Sequence, residues 1–178
     1  HIQISSYVKQ IHSISIPETV EVDLNFIENN AARCPHEATA EQMIAAIENA
    51  RDEGDSLGGI VHTVIQNCPV GLGEPLFAKL NADLGRAILS INACKGIQFG
   101  DGFDSILMKG SEYNDPISNE GGKPKTLSNH SGGIQGGISN GENIVFDAAF
   151  RPTSSISKSQ RSINTAGESI DLQIHGRH

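Results

Sequence analysis

A chain of 178 residues that is 37% hydrophobic and 19% charged has enough apolar content for one well-cored domain and too ordinary a composition to be disordered throughout. Its net charge of −8 argues against a general nucleic-acid binder, which needs a basic face to neutralise phosphates, and no run reaches the ~20 apolar residues of a membrane span. Aromatic residues make up only 4% and none is Trp, so Ile, Val, Leu and Ala must fill most of the core.

The first residues, HIQISSYV, alternate like a strand. They open on His1 rather than Met and lack the charged and apolar regions of a signal peptide, which reads as a start inside a larger gene product. Val20, Val22, Leu24 and Phe26 alternate with polar residues and predict a second strand. From Thr39 the period changes: a capping-box spacing to Gln42, apolar Met43, Ile44, Ile47 and Ala50, and Gly54 as a stop predict a helix. In SLGGIVHTVIQNC the Gly58-Gly59 pair and the β-branched run favour a strand over a helical stripe. Pro75 then suits a first helical turn, and Leu76, Leu80, Leu84, Ala87, Ile88 and Ile91 form one stripe. Strands follow at 97–99, 144–150 and 170–174, the last running almost to the final residue.

Few helices, many strands and no regular βαβ alternation predict an α+β domain with antiparallel sheets. Residues 109–141 form the longest stretch without a regular pattern, and such connections are functional loops or disorder. Cys34, Cys68 and Cys94 are odd in number and lack CxxC pairing, the pattern of buried reduced cysteines in a cytoplasmic protein. His12, His36 and His62 have no metal-ligand spacing. GLGEPL at 71–76 lacks the third glycine of a dinucleotide fingerprint, and no GK[ST] occurs.

Two stretches carry chemistry. NHSGGIQGGISNG, residues 129–141, concentrates glycines, which are costly in regular elements unless backbone must approach something closely. RPTSSI, residues 151–156, sets a guanidinium and three consecutive hydroxyls around a proline-fixed turn, a donor set suited to phosphate oxygens. The plainer reading of RPTSSI is a strand end running into a Ser-rich turn. The reading that these residues alone suggest, beside that plainer one, is a sugar-phosphate or other anionic-metabolite binding protein with no enzymology.

In order along the chain, RCP at 33–35, GDSLGGIV at 54–61, GLGEPLFAKLNADLGRAILSINACKG at 71–96, GDGF at 100–103, GSEYND at 110–115, the glycine-rich stretch, RPTSSI and the terminal GRH resemble chorismate synthase from about Ile2 to His178. The resemblance implies an α+β sandwich of antiparallel β-sheets around a layer of helices, and a homotetramer using reduced FMN. It also implies a carbon-oxygen lyase reaction: anti-1,4-elimination of phosphate from 5-enolpyruvylshikimate 3-phosphate to give chorismate, the last common step of aromatic biosynthesis. Some family members carry an NADPH-dependent flavin reductase activity. On this basis 1–178 is expected to be the core of a single domain, truncated at both ends.

Carried over residue by residue, the family's flavin contacts fall on Asn92, Ala93, Gly137, Arg151, Pro152, Thr153, Ser154, Ser155 and Arg177. The family's usual residue at 151 is Lys, so a planar fork replaces a point charge here. The glycines of 132–137 are expected to let backbone approach the flavin. The segments that carry the family's two catalytic His residues, its substrate-phosphate arginines and a late acidic residue are absent. Neither His130 nor His178 replaces them, and Asp101, Glu112 and Asp115 read as turn formers. No catalytic or metal-binding residue is therefore assigned. The alternative is a non-catalytic core that supplies subunit contacts and a partial flavin or anionic-ligand site.

Overall fold

The structure, a computed structural model, describes residues 1–174. In chain order the elements are β1 (Gln3–Ile11), β2 (Ile14–Ser15), α1 (Glu37–Asp52), β3 (Gly59–Gln66), α2 (Leu80–Leu89), β4 (Cys94–Phe99) and α3 (Gly110–Tyr113). Four short strands follow: β5 (Ile117–Glu120), β6 (Lys123–Thr126), β7 (Ile134–Gln135) and β8 (Ile138–Ser139). The last elements are β9 (Ile144–Phe150), β10 (Gln160–Ile163) and β11 (Ser169–Leu172). Two compact units emerge, His1–Tyr7 with Ile60–Phe150, and Val8–Gly59 with the segment that begins at Arg151.

In the first unit β1, β3, β9 and β4 lie side by side in that order. β4 and β9 are antiparallel, with Phe99 opposite Phe146 and a register shift between Cys94 and Gly96. α2 contributes Leu80, Leu84 and Ile88, at the i, i+4, i+8 spacing of one helical face, to a core of Cys68, Ile134, Ile144 and Phe146. The Phe99 and Phe146 rings meet at 5.6 Å with a 50° tilt, within the range of favourable aromatic pairs. A polar row crosses the same sheet: His62 Nδ1 lies 2.6 Å from Asp147 Oδ1, and Gln98 Nε2 donates to Asp147 Oδ2 at 3.4 Å.

In the second unit the end of β1 forms a hairpin with β2 through Gln10 and Ile11. α1 buries Ala40, Met43 and Ala50 on one side, Met43 completely. The loop before it is closed by Asn30, whose amide donates to Cys34 O at 2.8 Å while its Oδ1 accepts from Cys34 N–H at 3.1 Å. Burial pushes the Cys34 thiol up despite its hydrogen bond to His36 O. β10 and β11 form an antiparallel hairpin.

The α+β class with antiparallel pairing is observed, as are the expected strands at β1, β3, β4, β9 and β11. Three expectations change. Residues 20–26 are not a strand: Asp23 accepts the Asn25 N–H at 2.9 Å and starts a 3-10 helix over Leu24–Asn29. This local side-chain bond competes with a strand ladder. α1 begins at Glu37, so Thr39 lies buried inside it, with its hydroxyl 2.7 Å from His36 Nδ1. α2 begins at Leu80 instead of Pro75, because Ala78 N–H is taken by Leu76 O and Phe77 sits at φ 64, turning the chain before the helix starts. Gly54 does end α1, at φ 72.

Candidate functional site

The glycine-rich stretch is ordered into the β7–β8 hairpin and its approach. A Cβ on Gly132 would fall on the backbone of Gly100 and on Val145 O, and one on Gly133 would fall on the backbone of Asn143 and Ile144. The close approach at these two residues is therefore to the protein's own backbone, at the end of β4 and the start of β9. Gly137 packs against Lys79 and Glu74 O, and its carbonyl accepts the Leu80 N–H at 2.7 Å, the first donor of α2. Only Gly136 among these four faces open space, at φ 61. It borders a cavity of about 300 Å³ lined also by Lys79, Asn81, Phe99, Tyr113, Ser131 and Gly137.

Asn92 and Ala93 form the turn between α2 and β4, with Ala93 at φ 69. They sit beyond the C-terminal end of α2, whereas Gly137 sits at its N-terminal end. Ten helical residues separate the two, on the order of 15 Å.

Arg151, Pro152, Thr153, Ser154 and Ser155 lie in the second unit. Arg151 is exposed, and its Nη1 donates to Pro152 O at 2.8 Å. Thr153 O accepts from Ser56 Oγ at 2.7 Å. Among the described residues, the N–H groups of Thr153, Ser154, Ser155 and Ile156 and the hydroxyls of Thr153, Ser154 and Ser155 have no partner. The turn thus presents a guanidinium and seven unpaired donors, no acidic side chain among them. Hydroxyls and backbone N–H groups without protein partners are available to donate to the oxygens of an anion. Arg177 and His178 lie outside the described residues.

The acidic residues read as turn formers take structural partners. Asp115 accepts Ser128 Oγ at 2.7 Å and the N–H groups of His130 and Ser131 at 2.8 and 3.1 Å. Burial alone would push its carboxyl up, but these bonds outweigh it and hold the group below the usual carboxylate range. Glu112 accepts Lys109 N–H at 2.8 Å and caps α3. Asp101 differs: its Oδ2 lies 2.6 Å from His130 Nδ1, and the Tyr113 ring stands 6.2 Å from the imidazole. Nothing in the sequence spacing joins Asp101 to His130, 29 residues apart.

The family model described as chorismate synthase matches residues 1–178. A chorismate synthase of Cyanothece sp. is 46% identical over 178 residues, 99% of this chain and 49% of its own length. One from Phocaeicola vulgatus is 45% identical, over 99% of this chain and 50% of its own length. A solved structure titled as the crystal structure of chorismate synthase superposes with a TM-score of 0.79 at 30% identity, covering 86% of this chain and 50% of that one. The chain spans about half the length of the curated relatives it matches. With the whole of its sequence matched by one family model and its fold shared with a solved member, the chain belongs to the chorismate synthase family.

Proposed function

We propose that this chain is the part of a chorismate synthase that holds the FMN phosphate, in an enzyme that eliminates phosphate from 5-enolpyruvylshikimate 3-phosphate to give chorismate. The observation that supports it is the turn Arg151–Ser155, with its guanidinium and unpaired N–H and O–H donors and no carboxylate of its own. On a chain of net charge −8, an anion is held only where local donors outweigh the overall field. These donors fit a phosphate monoester. Reduced FMN, when bound, supplies an electron transiently and recovers it, so the reaction has no net redox change. The two compact units are, in this reading, parts of one family domain.

The role of this chain's own residues is to bind and orient. Arg151 provides charge, Thr153, Ser154 and Ser155 provide hydroxyl donors, and Asn92, Ala93, Gly137 and Arg177 complete the resemblance-assigned contacts. Arg151→Ala is expected to weaken FMN binding at least about tenfold, since a charge-assisted hydrogen bond contributes about 1.5–3 kcal/mol. Thermal unfolding of the apo protein should hardly change, because the exposed guanidinium bonds only Pro152 O. FMN fluorescence quenching and a thermal melt check both. Unchanged affinity, or unfolding many degrees earlier, makes Arg151 a structural residue and overturns the assignment.

The chain is also proposed to assemble with further copies, toward a tetramer. In the first unit Phe77 is 93%, Phe103 77%, Ile106 81% and Leu107 82% exposed, large apolar side chains that association would remove from water. Light scattering at micromolar concentration is expected to give a dimer or tetramer; a monomer counts against this arrangement. No helix among the described residues is long and apolar enough to cross a membrane.

A further inference from the structure

Residues 53–58, between α1 and β3, touch the Arg151–Ser155 turn and its continuation at several points. Ser56 Oγ donates to Thr153 O at 2.7 Å. Gly54 O accepts the N–H groups of both Ser157 and Lys158, at 3.0 and 3.1 Å. Lys158 Nζ reaches Asp55 Oδ2 at 2.9 Å and Glu53 Oε2 at 3.2 Å. The chain is therefore pinned at Thr153 and again at 157–158. The N–H groups between those pins, on Ser154, Ser155 and Ile156, have no partner among the described residues.

We propose that the 53–58 turn positions the anion-binding turn, with Ser56 as the residue that sets the direction of its leading amide. A trans peptide is planar, with C=O and N–H pointing opposite ways. Fixing Thr153 O on Ser56 therefore turns the Ser154 N–H away from residues 53–58. The downstream pin on Gly54 O limits rotation of the following two peptides. Preorganised donors need no reorientation when the ligand arrives, and that saving appears as affinity. Lys158 has a separate part: it occupies the carboxylates of Glu53 and Asp55, the acidic groups nearest the turn in sequence on its supporting side, and so spends its charge on them instead of on the ligand. Gly54 is suited to its place because at φ 72 a Cβ would stand 3.1 Å from Ser157 Oγ.

This inference rests on the reading of Arg151–Ser155 as a flavin-phosphate site, and its test separates the two. FMN and riboflavin, which lacks the phosphate, are titrated against the 178-residue chain and its Ser56→Ala, Ser56→Thr and Arg151→Ala variants by fluorescence quenching. For Ser56→Ala, FMN affinity is expected to fall about three- to tenfold, the scale of one neutral hydrogen bond. Riboflavin affinity and the apo unfolding temperature should stay as they are, and Ser56→Thr, which keeps a hydroxyl, should restore FMN binding. Equal losses for FMN and riboflavin, or no loss at all, overturn the positioning role. If Arg151→Ala weakens FMN while Ser56→Ala does not, only the positioning role falls. A wild-type chain that shows no preference for FMN over riboflavin overturns the phosphate site and this inference together.

Discussion

Gly132→Ala is expected to destabilise the protein by about 2–5 kcal/mol, a large part of the stability of an ordinary domain. Left-handed backbone costs a Cβ-bearing residue about 1–2 kcal/mol, and Gly132 sits at φ 65. Overpacking adds about 1–3 kcal/mol, and here the obstructing atoms are backbone of Gly100 and Val145, which no rotamer change can move aside. Those same residues carry the hydrogen bonds Gly100 N–H to Val145 O at 3.0 Å and Val145 N–H to Gly132 O at 3.2 Å. Gly136→Ala is the internal comparison: at φ 61 with open space around it, it should lose only the backbone term, about 1–2 kcal/mol. Urea midpoints of the two variants measure the difference. Similar small losses in both would mean that the segment around Gly132 can shift, and that its tight packing is not what the glycine is for.

The 178-residue chain, supplied with FMN, dithionite and 5-enolpyruvylshikimate 3-phosphate, is expected to form no chorismate above a no-protein control. The family resemblance puts the substrate-phosphate arginines and both catalytic histidines outside this sequence. A positioned acid or base contributes about 10²–10⁴-fold in rate, and orientation of the substrate contributes further orders of magnitude. With the Cyanothece relative assayed alongside, the shortfall should exceed about 10⁴-fold. Turnover in a preparation free of host enzyme would overturn this and would direct attention to Asp101 and His130, a carboxylate and an imidazole in contact at 2.6 Å.

The parts of the fold that sequence reading reached are those in which one periodicity runs unopposed. α1 and β9 each present a sustained apolar pattern, and Gly54 supplies a stop that backbone geometry confirms; β3 also fits a helical stripe and is told apart only by its Gly58-Gly59 pair and β-branched run. Residues 20–26 failed because their apolar alternation coincides with Asp23, whose own hydrogen bond to Asn25 outcompetes strand pairing. The early start expected for α2 failed because the apolar stripe continues through Leu76, while the backbone at Phe77 turns left-handed, which no periodicity reveals. Residues 109–141 were illegible for a different reason. Their strands are two to four residues long, too short to carry an alternation.

For the candidate site, residue chemistry identified the donors of RPTSSI but not what holds them. The contact from Ser56 to Thr153 spans 97 positions, and that from Lys158 to Asp55 spans 103. Neither leaves a local signature. The glycines were identified as marking close approach, but the approaching partner at Gly132 and Gly133 is protein backbone, and a sequence pattern cannot distinguish one from the other.

The three cysteines, all buried and unpaired, make the molecule its own reporter of motion. Cys34 lies in the second unit, Cys68 and Cys94 in the first. A thiol reagent can modify any of them only after the surrounding structure has opened, so labelling rates convert to opening free energies in the way that hydrogen exchange does. Single-cysteine versions would time the two units separately in one tube, with peptide mapping assigning each modification. Bound FMN should slow modification at Cys34 if ligand binding and opening of the second unit draw on the same equilibrium.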